Sequence, residues 1–387
     1  MHRHSVRISI LVILGFLFLG CEPTAPDLEE KLQSILDDVV WNNEAVRSAA
    51  LHVDARGLGL TWEGAAGMAD PEEGRVMNPL TPVRIASNTK TFIAATVLRL
   101  HEEGVLDIGD SIADHLPQEY VAILEGDGYD TREMTIRHLL NHTSGLFDHT
   151  SGAAYTEMMI ADPMHRWTRA EQLRLAVELG DPHGAPGEYY TYCDTGYVLL
   201  GAIIEQVSGW EMAVAVRKLL DFDRLGLVAT WWESLEAQPA WVPDRAHQFV
   251  GDIDTFGFDP SFDLYGGGGL VSTVGDLARF YRALFAGEVF DSYGTGMIML
   301  TSDEGSEALP GASERALPPG AYRMGIWEVQ VGDFNTYRHT GFFGTLATYV
   351  QDLDLVVTAT TNQNQDGGAR NDLVRKVVLL VAETSSR

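Results

Sequence analysis

The chain has 387 residues, 45% of them hydrophobic and 9% aromatic, which suits one large globular domain or two closely packed ones with a substantial core. Its formal net charge of −28 argues against binding to nucleic acid, and against adhesion to anionic lipid through charge, because both carry phosphates that this surface repels. Neither property specifies the fold, which has to be inferred from the order of elements along the chain.

The first 20 residues have the features of a signal peptide. Arg3 and Arg7 precede the apolar run ISILVILGFLFLG, which is too short to span a bilayer comfortably and has the length of a signal-peptide core. We therefore expect the protein to be exported, with residues 1–20 acting as the signal.

A lipid anchor is predicted at the end of that signal. Gly20 directly precedes Cys21, and a small residue before a lone cysteine resembles a bacterial lipoprotein signal, in which the cysteine becomes the lipidated first residue. Phe18 stands where an aliphatic residue is usual, so cleavage of an ordinary secretory signal nearby is the alternative. Residues 21–27 are predicted to be a tether. A lipidated Cys21 cannot pair with Cys193, so no intramolecular disulfide is expected.

The mature chain begins and ends with predicted sheet elements. DLEEKLQSILDDVV has apolar residues at helical spacing, and SAALHVDARGLGLTWEGAAG reads as two strands around a turn at Arg56-Gly57. Near the C-terminus, AYRMGIWEVQV, FNTYRHTG, TLATYVQD and LDLVVTATT predict strands, and DLVRKVVLLVAE predicts a helix. The pattern predicts an α+β domain over 28–387, with a sheet lobe built from 28–110 and 264–387 and a helical lobe, 111–263, inserted between them.

A serine and a lysine stand three residues apart at the start of the apolar segment RIASNTKTFIAATVLRLHEEG, which predicts a helix up to Gly104. Residues at i and i+3 share a helix face, so Ser87 and Lys90 are expected to lie together at its N-terminus. The helix dipole and partial burial disfavour an ammonium there, and a neutral Lys90 can take the Ser87 proton and activate the hydroxyl as a nucleophile. The alternative is that Ser87 caps the helix and Lys90 extends to water.

Two further polar triplets follow Ser87 and Lys90 along the chain. Tyr192-Cys193-Asp194 opens the helical pattern YTYCDTGYVLLG, and His339-Thr340-Gly341 lies in the strand pattern RHTGFFGT. Ser-x-x-Lys followed by a polar triplet and Lys-Thr-Gly marks β-lactamases and penicillin-binding proteins. With EEGVLDIGDSIADHLP, TIRHLLNHTSGL and GGGGLVSTVGDLARFYRAL, the triplets resemble the serine β-lactamase and penicillin-binding protein superfamily, in its class C-like branch.

The resemblance runs from about Leu28 to the C-terminal helix, and its His-Thr-Gly triplet is similar to a variant found in some D-alanyl-D-alanine carboxypeptidases. It implies a β-lactamase/transpeptidase-like fold, in which an antiparallel sheet is flanked by helices and Ser87 lies where the sheet meets the helical lobe. No metal or organic cofactor is implied.

The resemblance also implies roles for the first two triplets. Ser87 would be acylated, Lys90 would be its proton partner, and Tyr192 would relay protons if a nearby cation such as Lys90 stabilises its phenolate. Asp194 stands where asparagine is usual. An ionised aspartate only accepts hydrogen bonds, so Asp194 could pair with Lys90 and keep it charged.

The third triplet would form the far wall of the groove. His339 and Thr340, followed by Gly341, would face the substrate carboxylate, and the backbone N–H groups of Ser87 and Phe342 would form the oxyanion hole. Histidine in place of the usual lysine has an unperturbed pKa near 6.5, which predicts a charge and a carboxylate recruitment that fade as the pH rises.

Three other residues receive structural interpretations. His138 and His142 in HLLNH could be a metal pair, but the run lacks the glutamate of His-Glu-x-x-His and a third ligand, so packing at a helix end is predicted. Arg338 alternates to the strand face opposite His339 and is therefore left out of the site.

The resemblance implies an exported, lipid-anchored serine hydrolase that forms an acyl-enzyme on Ser87. Its substrate would be a small peptide, as in a D-alanyl-D-alanine carboxypeptidase; a β-lactamase or a carboxylesterase on the same scaffold is the alternative. A catalytically silent penicillin-binding or scaffold protein is a different class of function. It is less favoured because Ser87, Lys90 and Tyr192 are all present.

Overall fold

The structure, a computed structural model, describes residues 25–302, 307–308 and 321–386. The predicted signal peptide, Cys21 and the first half of the predicted tether lie outside these residues. The helices span Ala25–Trp41 (α1), Thr89–Glu102 (α2), Gln118–Gly126 (α3), Ile136–Leu140 (α4), Ala154–Ala161 (α5), Arg169–Leu179 (α6), Asp194–Ser208 (α7), Met212–Leu219 (α8), Phe222–Leu225 (α9), Val274–Phe285 (α10), Tyr293–Met299 (α11) and Ala369–Ser385 (α12). Because α1 begins at Ala25, the last three residues of the predicted tether are helical.

The strands are shorter on average than the helices, and several are two-residue pairings. They span Ser48–Ala55 (β1), Leu60–Asp70 (β2), Arg75–Val76 (β3), Val83–Arg84 (β4), Tyr189–Tyr190 (β5), Trp231–Trp232 (β6), Phe249–Val250 (β7), Ile253–Asp254 (β8), Leu270–Ser272 (β9), Glu307–Ala308 (β10), Trp327–Val331 (β11), Phe334–Thr340 (β12), Thr345–Val350 (β13) and Leu355–Thr360 (β14).

The main sheet joins the two ends of the chain, as the sequence predicts. Its strand order is β11-β12-β13-β14-β1-β2-β3, and each neighbouring pair is antiparallel. Strand β1, near the N-terminus, pairs directly with β14, near the C-terminus, with Val53 opposite Val357. The residues that flank the inserted region are therefore held together by backbone hydrogen bonds.

Helices cover both faces of this sheet. On one face α1 and α12 present apolar residues at helical spacing, among them Leu32, Leu36, Val374 and Val378, which are all buried against β1, β13 and β14. Helix α10 packs on the other face, against β1, β13 and β14, and α2 lies beside it, with the Phe92 ring stacked on Phe280. Helix α2 is buried around most of its circumference because α7, α8 and α11 also pack against it.

The helical region is linked to the rest by a second, smaller sheet. Strand β6, at 231–232, pairs with β9, and β9 pairs with β4 just before Ser87. In the described part of the chain no single helix has the length and apolar character to cross a bilayer, whereas the pair α7 and α8, bent by 77°, meets both criteria when its helices are counted together.

Candidate active site

Ser87 lies in a single 3₁₀ turn, Ala86–Asn88, immediately before α2, and its side chain does not cap the helix. The turn is strained, because Ala86 has φ of 45°, a value that residues with a β-carbon seldom adopt. It is also tied down, since Asn88 Nδ2 donates to Thr345 Oγ1 at 2.9 Å at the start of β13. The turn therefore holds Ser87 rigidly at the edge of a cleft of about 420 Å³.

Lys90 is fully buried, so the alternative in which it extends to water is wrong. Its Nζ donates to Ser87 Oγ at 2.9 Å and to the Gly267 carbonyl at 2.6 Å, and it lies 2.5 Å from Asp194 Oδ1. These contacts compensate for the water that the ammonium loses on burial. The Asp194 carboxylate therefore pairs with Lys90, which is the contact that the sequence analysis raised for this aspartate.

Tyr192 completes the environment of the nucleophile. Its hydroxyl hydrogen-bonds to Ser87, and its ring lies 5.2 Å from Lys90 Nζ. Contrary to the expectation from the sequence, the surroundings do not favour a phenolate: burial, followed by the charge of Asp194, raises the pKa of Tyr192 well above its usual value. The rings of Trp327, stacked on Tyr192 at 6.1 Å, and His142, at 4.4 Å, hold it in place as a neutral phenol.

His339 lines the cleft but does not carry the predicted charge. Its side chain is buried, with Nδ1 2.9 Å from the Thr340 carbonyl and Nε2 3.1 Å from the Tyr322 hydroxyl. A carbonyl only accepts, so Nδ1–H donates to it and Nε2 accepts from Tyr322. Burial and the nearby charge of Lys90 lower the pKa of His339 to about 3. The prediction of a pH-dependent cation here is wrong, because the site is too dry to hold imidazolium.

Gly341 allows the end of β12 to approach the nucleophile turn. A β-carbon at this position would lie 2.3 Å from the Ile85 carbonyl oxygen and 2.0 Å from Thr345 Oγ1, so any side chain would force the two segments apart. This approach brings Phe342, together with Thr340, onto the cleft wall beside Ser87. The structure thus brings together the residues predicted for the oxyanion hole.

Arg370, in the first turn of α12, is a cleft residue that the sequence analysis missed. Its Nη1 donates to the Gly341 carbonyl at 2.9 Å, while its buried Nε has no hydrogen-bond partner among the described residues. Arg338 is not among the cleft residues. Burial, and to a smaller extent the charge of nearby Arg370, lowers the pKa of Arg338. No motif marks Arg370, because only the packing of α12 places it there.

Three carboxyl groups, Asp148, Asp194 and Asp263, line the wall near Lys90. Burial, followed by the charge of Asp194, raises the pKa of both Asp148 and Asp263 to about 7. Asp148 accepts from the Asp194 N–H at 3.2 Å and from Thr150 Oγ1 at 2.8 Å. The sequence analysis predicted only Asp194, because the other two lie in loops without a recognisable pattern.

The two histidines of HLLNH do not form a pair. His138 closes a capping box with Thr135 at the start of α4, and α4 ends at Leu140, before His142. His142 Nδ1 accepts from the Cys193 N–H at 3.1 Å and so fixes the backbone between Tyr192 and Asp194. Within the described ranges, no group of three or more His, Cys, Asp or Glu side chains could hold a metal ion.

Comparison with known proteins gives a consistent assignment. A family model described as Beta-lactamase matches residues 35–381. Penicillin-binding protein 4* of Bacillus subtilis (strain 168) is 28% identical over 246 residues, which are 60% of this chain and 51% of that protein. Esterase EstB of Burkholderia gladioli is 31% identical over 224 residues, which are 57% of this chain and 55% of that protein. The chain thus spans about half the length of these relatives.

Solved structures match over nearly the whole chain. A D-stereospecific amidohydrolase from Streptomyces sp. has a TM-score of 0.72 and 25% identity, and the match covers 89% of this chain and 97% of that one. The D-amino acid amidase from Ochrobactrum anthropi SV3, complexed with D-phenylalanine, has a TM-score of 0.75 and 24% identity over 93% of this chain and 100% of that one. The predicted β-lactamase/transpeptidase-like fold is confirmed.

Proposed function

Because the chain belongs to the β-lactamase family, we propose that it is a serine hydrolase that forms an acyl-enzyme on Ser87 and cleaves an amide bond whose leaving group carries a carboxylate. The observation that carries this proposal is the Ser87 hydroxyl held between Lys90 Nζ, at 2.9 Å, and the Tyr192 hydroxyl, at the edge of the cleft. A nucleophile, two proton-transfer groups and a cavity for the acyl group are the parts that acyl transfer requires.

The contact between Lys90 and Ser87 suggests how the nucleophile is activated. In its neutral form, the Lys90 amine takes the proton of Ser87 across the 2.9 Å contact as Oγ attacks the substrate carbonyl carbon. The oxygen that becomes negative accepts hydrogen bonds from the backbone N–H groups of Ser87 and Phe342.

When the tetrahedral intermediate collapses, the proton taken from Ser87 has to be replaced by one delivered to the leaving nitrogen. Tyr192 donates its hydroxyl proton to the leaving nitrogen and takes the replacement from Lys90 in the same step, so no free phenolate forms. This order agrees with the raised pKa of Tyr192. Water then attacks the acyl-enzyme along the reverse path, and Ser87 regains its proton.

Arg370 supports a carboxypeptidase-like reaction over a simple amidase. Its guanidinium lines the cleft, where Nη1 donates to the Gly341 carbonyl at 2.9 Å, and a carboxylate is the group that a guanidinium best accommodates. With His339 neutral, Arg370 takes the role that the sequence analysis gave to the histidine. A D-alanyl-D-alanine end is one substrate of this form.

Covalent labelling tests the proposal. Incubation with a fluorescent penicillin should give an adduct that maps to Ser87 and is absent in Ser87→Ala, whereas the control Ser385→Ala, on the exposed end of α12, should label normally. A panel of a D-alanyl-D-alanine peptide, a cephalosporin and a short-chain nitrophenyl ester should show peptide hydrolysis that depends on Ser87. Ester hydrolysis alone would favour a carboxylesterase, and labelling without turnover would favour a silent penicillin-binding protein.

A further inference from the structure

The cleft contains more carboxyl groups than the acyl-transfer chemistry uses. Asp194 pairs with Lys90 at 2.5 Å, which accounts for one anion and one cation. Asp148 and Asp263 also line the cleft, and neither forms an ion pair with a lysine or arginine among the described residues. Crowding three acids around one lysine is unfavourable in the unliganded protein, because like charges at short range repel each other.

Asp263 is the least satisfied of the three. It ends the 3₁₀ turn Pro260–Asp263, and its carboxyl accepts no hydrogen bond from the residues that the structure describes. Arg84 is near enough to influence it, but that guanidinium is fully engaged by Glu233, at 2.6 and 3.1 Å, and by the carbonyls of Thr255 and Phe258. The carboxyl of Asp263 is thus an acceptor that faces the cleft without a donor.

The neighbours of Asp263 are apolar. Tyr155, Met159 and Phe262 line the same part of the cleft and belong to one hydrophobic cluster. The Tyr155 hydroxyl is occupied by the Phe262 carbonyl, at 2.6 Å, so it is not offered to a ligand. This wall therefore presents acidic acceptors next to an apolar surface, whereas Arg370 presents a donor on the wall formed by β12 and α12.

We propose that the substrate carries a free ammonium group, which Asp263 and Asp148 bind, next to an apolar side chain on the acyl part. This inference rests on the proposed function and specifies its substrate class: a short zwitterionic peptide, with its ammonium at the acidic wall and its carboxylate at Arg370. An ammonium has only donors, and ionised carboxylates only accept. Acylation of the amino group removes its charge and therefore the charge-assisted hydrogen bonds that an ammonium makes to these carboxylates.

A matched pair of substrates tests the proposal. The kcat/KM of D-alanyl-D-alanine should exceed that of its N-acetyl derivative by about tenfold or more, because an ion pair in a poorly hydrated cleft exceeds a neutral contact by roughly that factor. Asp263→Asn should remove most of this preference, and Asp148→Asn should reduce it. Asp252→Asn, which removes the same charge at a fully exposed position, should keep it. Thermal unfolding verifies that each variant folds.

The pH dependence gives a second readout. Asp194 and Lys90 act on both carboxyls, and Arg84 and Glu233 act on Asp263. His149 Nδ1 lies 3.9 Å from Asp148 Oδ1. Since both carboxyls have a pKa of about 7, the preference for the free amine should rise from pH 6 to about 7.5 and fall once the substrate α-amino group, with a pKa near 8, loses its proton.

Failure of this inference differs from failure of the proposed function. If the N-acetyl substrate is cleaved as fast as the free dipeptide, and Asp263→Asn lowers both rates alike, the ammonium site is refuted while the Ser87 acyl-enzyme stands. If neither substrate is cleaved and penicillin does not label Ser87, the proposed function itself is wrong.

Discussion

The Nζ atom of Lys90 lies 2.5 Å from Oδ1 of Asp194, so the lysine beside the nucleophile is held in a buried ion pair. In the family pattern an asparagine occupies the position of Asp194, and a neutral amide leaves the lysine free to lose its proton. The aspartate pairs with the lysine and adds an anion to the cleft. We infer that this difference from the family pattern biases the cleft towards substrates that carry an ammonium group.

The first prediction concerns Asp194→Asn. Removal of the carboxylate takes away the buried ion-pair partner that holds Lys90 Nζ at 2.5 Å, so kcat/KM for an N-acylated substrate should rise. We expect about a tenfold gain at neutral pH, equivalent to roughly 1.4 kcal/mol. Pre-steady-state acylation measurements across pH check this outcome. An unchanged acylation rate would show that the ion pair does not control the base.

The second prediction concerns His339. Because its pKa is about 3, the ratio of kcat/KM for carboxylate-ended over amide-ended peptides should not vary through its titration between about pH 5.5 and 8.5. His339→Gln retains one donor for the Thr340 carbonyl and one acceptor for Tyr322, so it should change this ratio little. If the ratio falls with rising pH in the natural protein and is flat in His339→Gln, a charged His339 recruits the carboxylate after all.

The third prediction concerns Arg370. Arg370→Gln should raise the KM of carboxylate-ended peptides by about 10- to 100-fold, because a charge-assisted hydrogen bond contributes about 1.5–3 kcal/mol. Amide-ended peptides should be affected far less, and kcat should change little. Arg375→Gln, an exposed substitution on the same helix that pairs only with Asp372, provides the control. An equal loss for both substrates would indicate that Arg370 merely supports Gly341 and Thr345.

The fourth prediction links Asp263 to stability. Its pKa rises from an ordinary value near 3.8 to about 7 in the folded protein, so it contributes stability that is fully present below pH 3.8 and is lost as the pH rises through 7. Asp263→Asn should therefore raise the melting temperature at pH 8 more than at pH 5. We expect roughly 2–4 °C, for a gain on the order of 1 kcal/mol in a large domain. Calorimetry at both pH values measures the two melting temperatures, with Asp252→Asn as the control. An equal increase at pH 5 and pH 8 would contradict the prediction.

The fifth prediction concerns the membrane anchor, which we propose from the sequence alone. Radiolabelled palmitate should enter the protein through Cys21, and Cys21→Ser should be unlabelled and released in soluble form. Cys193→Ser should keep the label, because Cys193 is buried in the fold. A mature N-terminus well beyond residue 21, without lipid, would contradict the anchor.

Features that depend on nearby residues were predictable from the sequence. The helical and strand periodicities gave the order of elements, and the pairing of both chain ends followed from early and late strands separated by helices. Ser87 and Lys90 are one turn apart, so their contact follows from local geometry alone. The triplets at 192–194 and 339–341 carried the rest of the predicted site, because their order along the chain was already informative.

Protonation states and the cleft walls were decided only by the tertiary structure. Lys90 meets the Gly267 carbonyl 177 residues further along the chain, and Asp263 meets Asp194 and Lys90 from a loop that no pattern marks. The pKa of a group depends on its burial and on charges within a few ångströms, which a sequence does not give until distant segments are packed together. The sequence by itself determined the nucleophile and its immediate partner. The neutral His339, the carboxyls with a raised pKa and the position of Arg370 on the cleft wall arise only when the sheet, the helical lobe and α12 pack around one cleft.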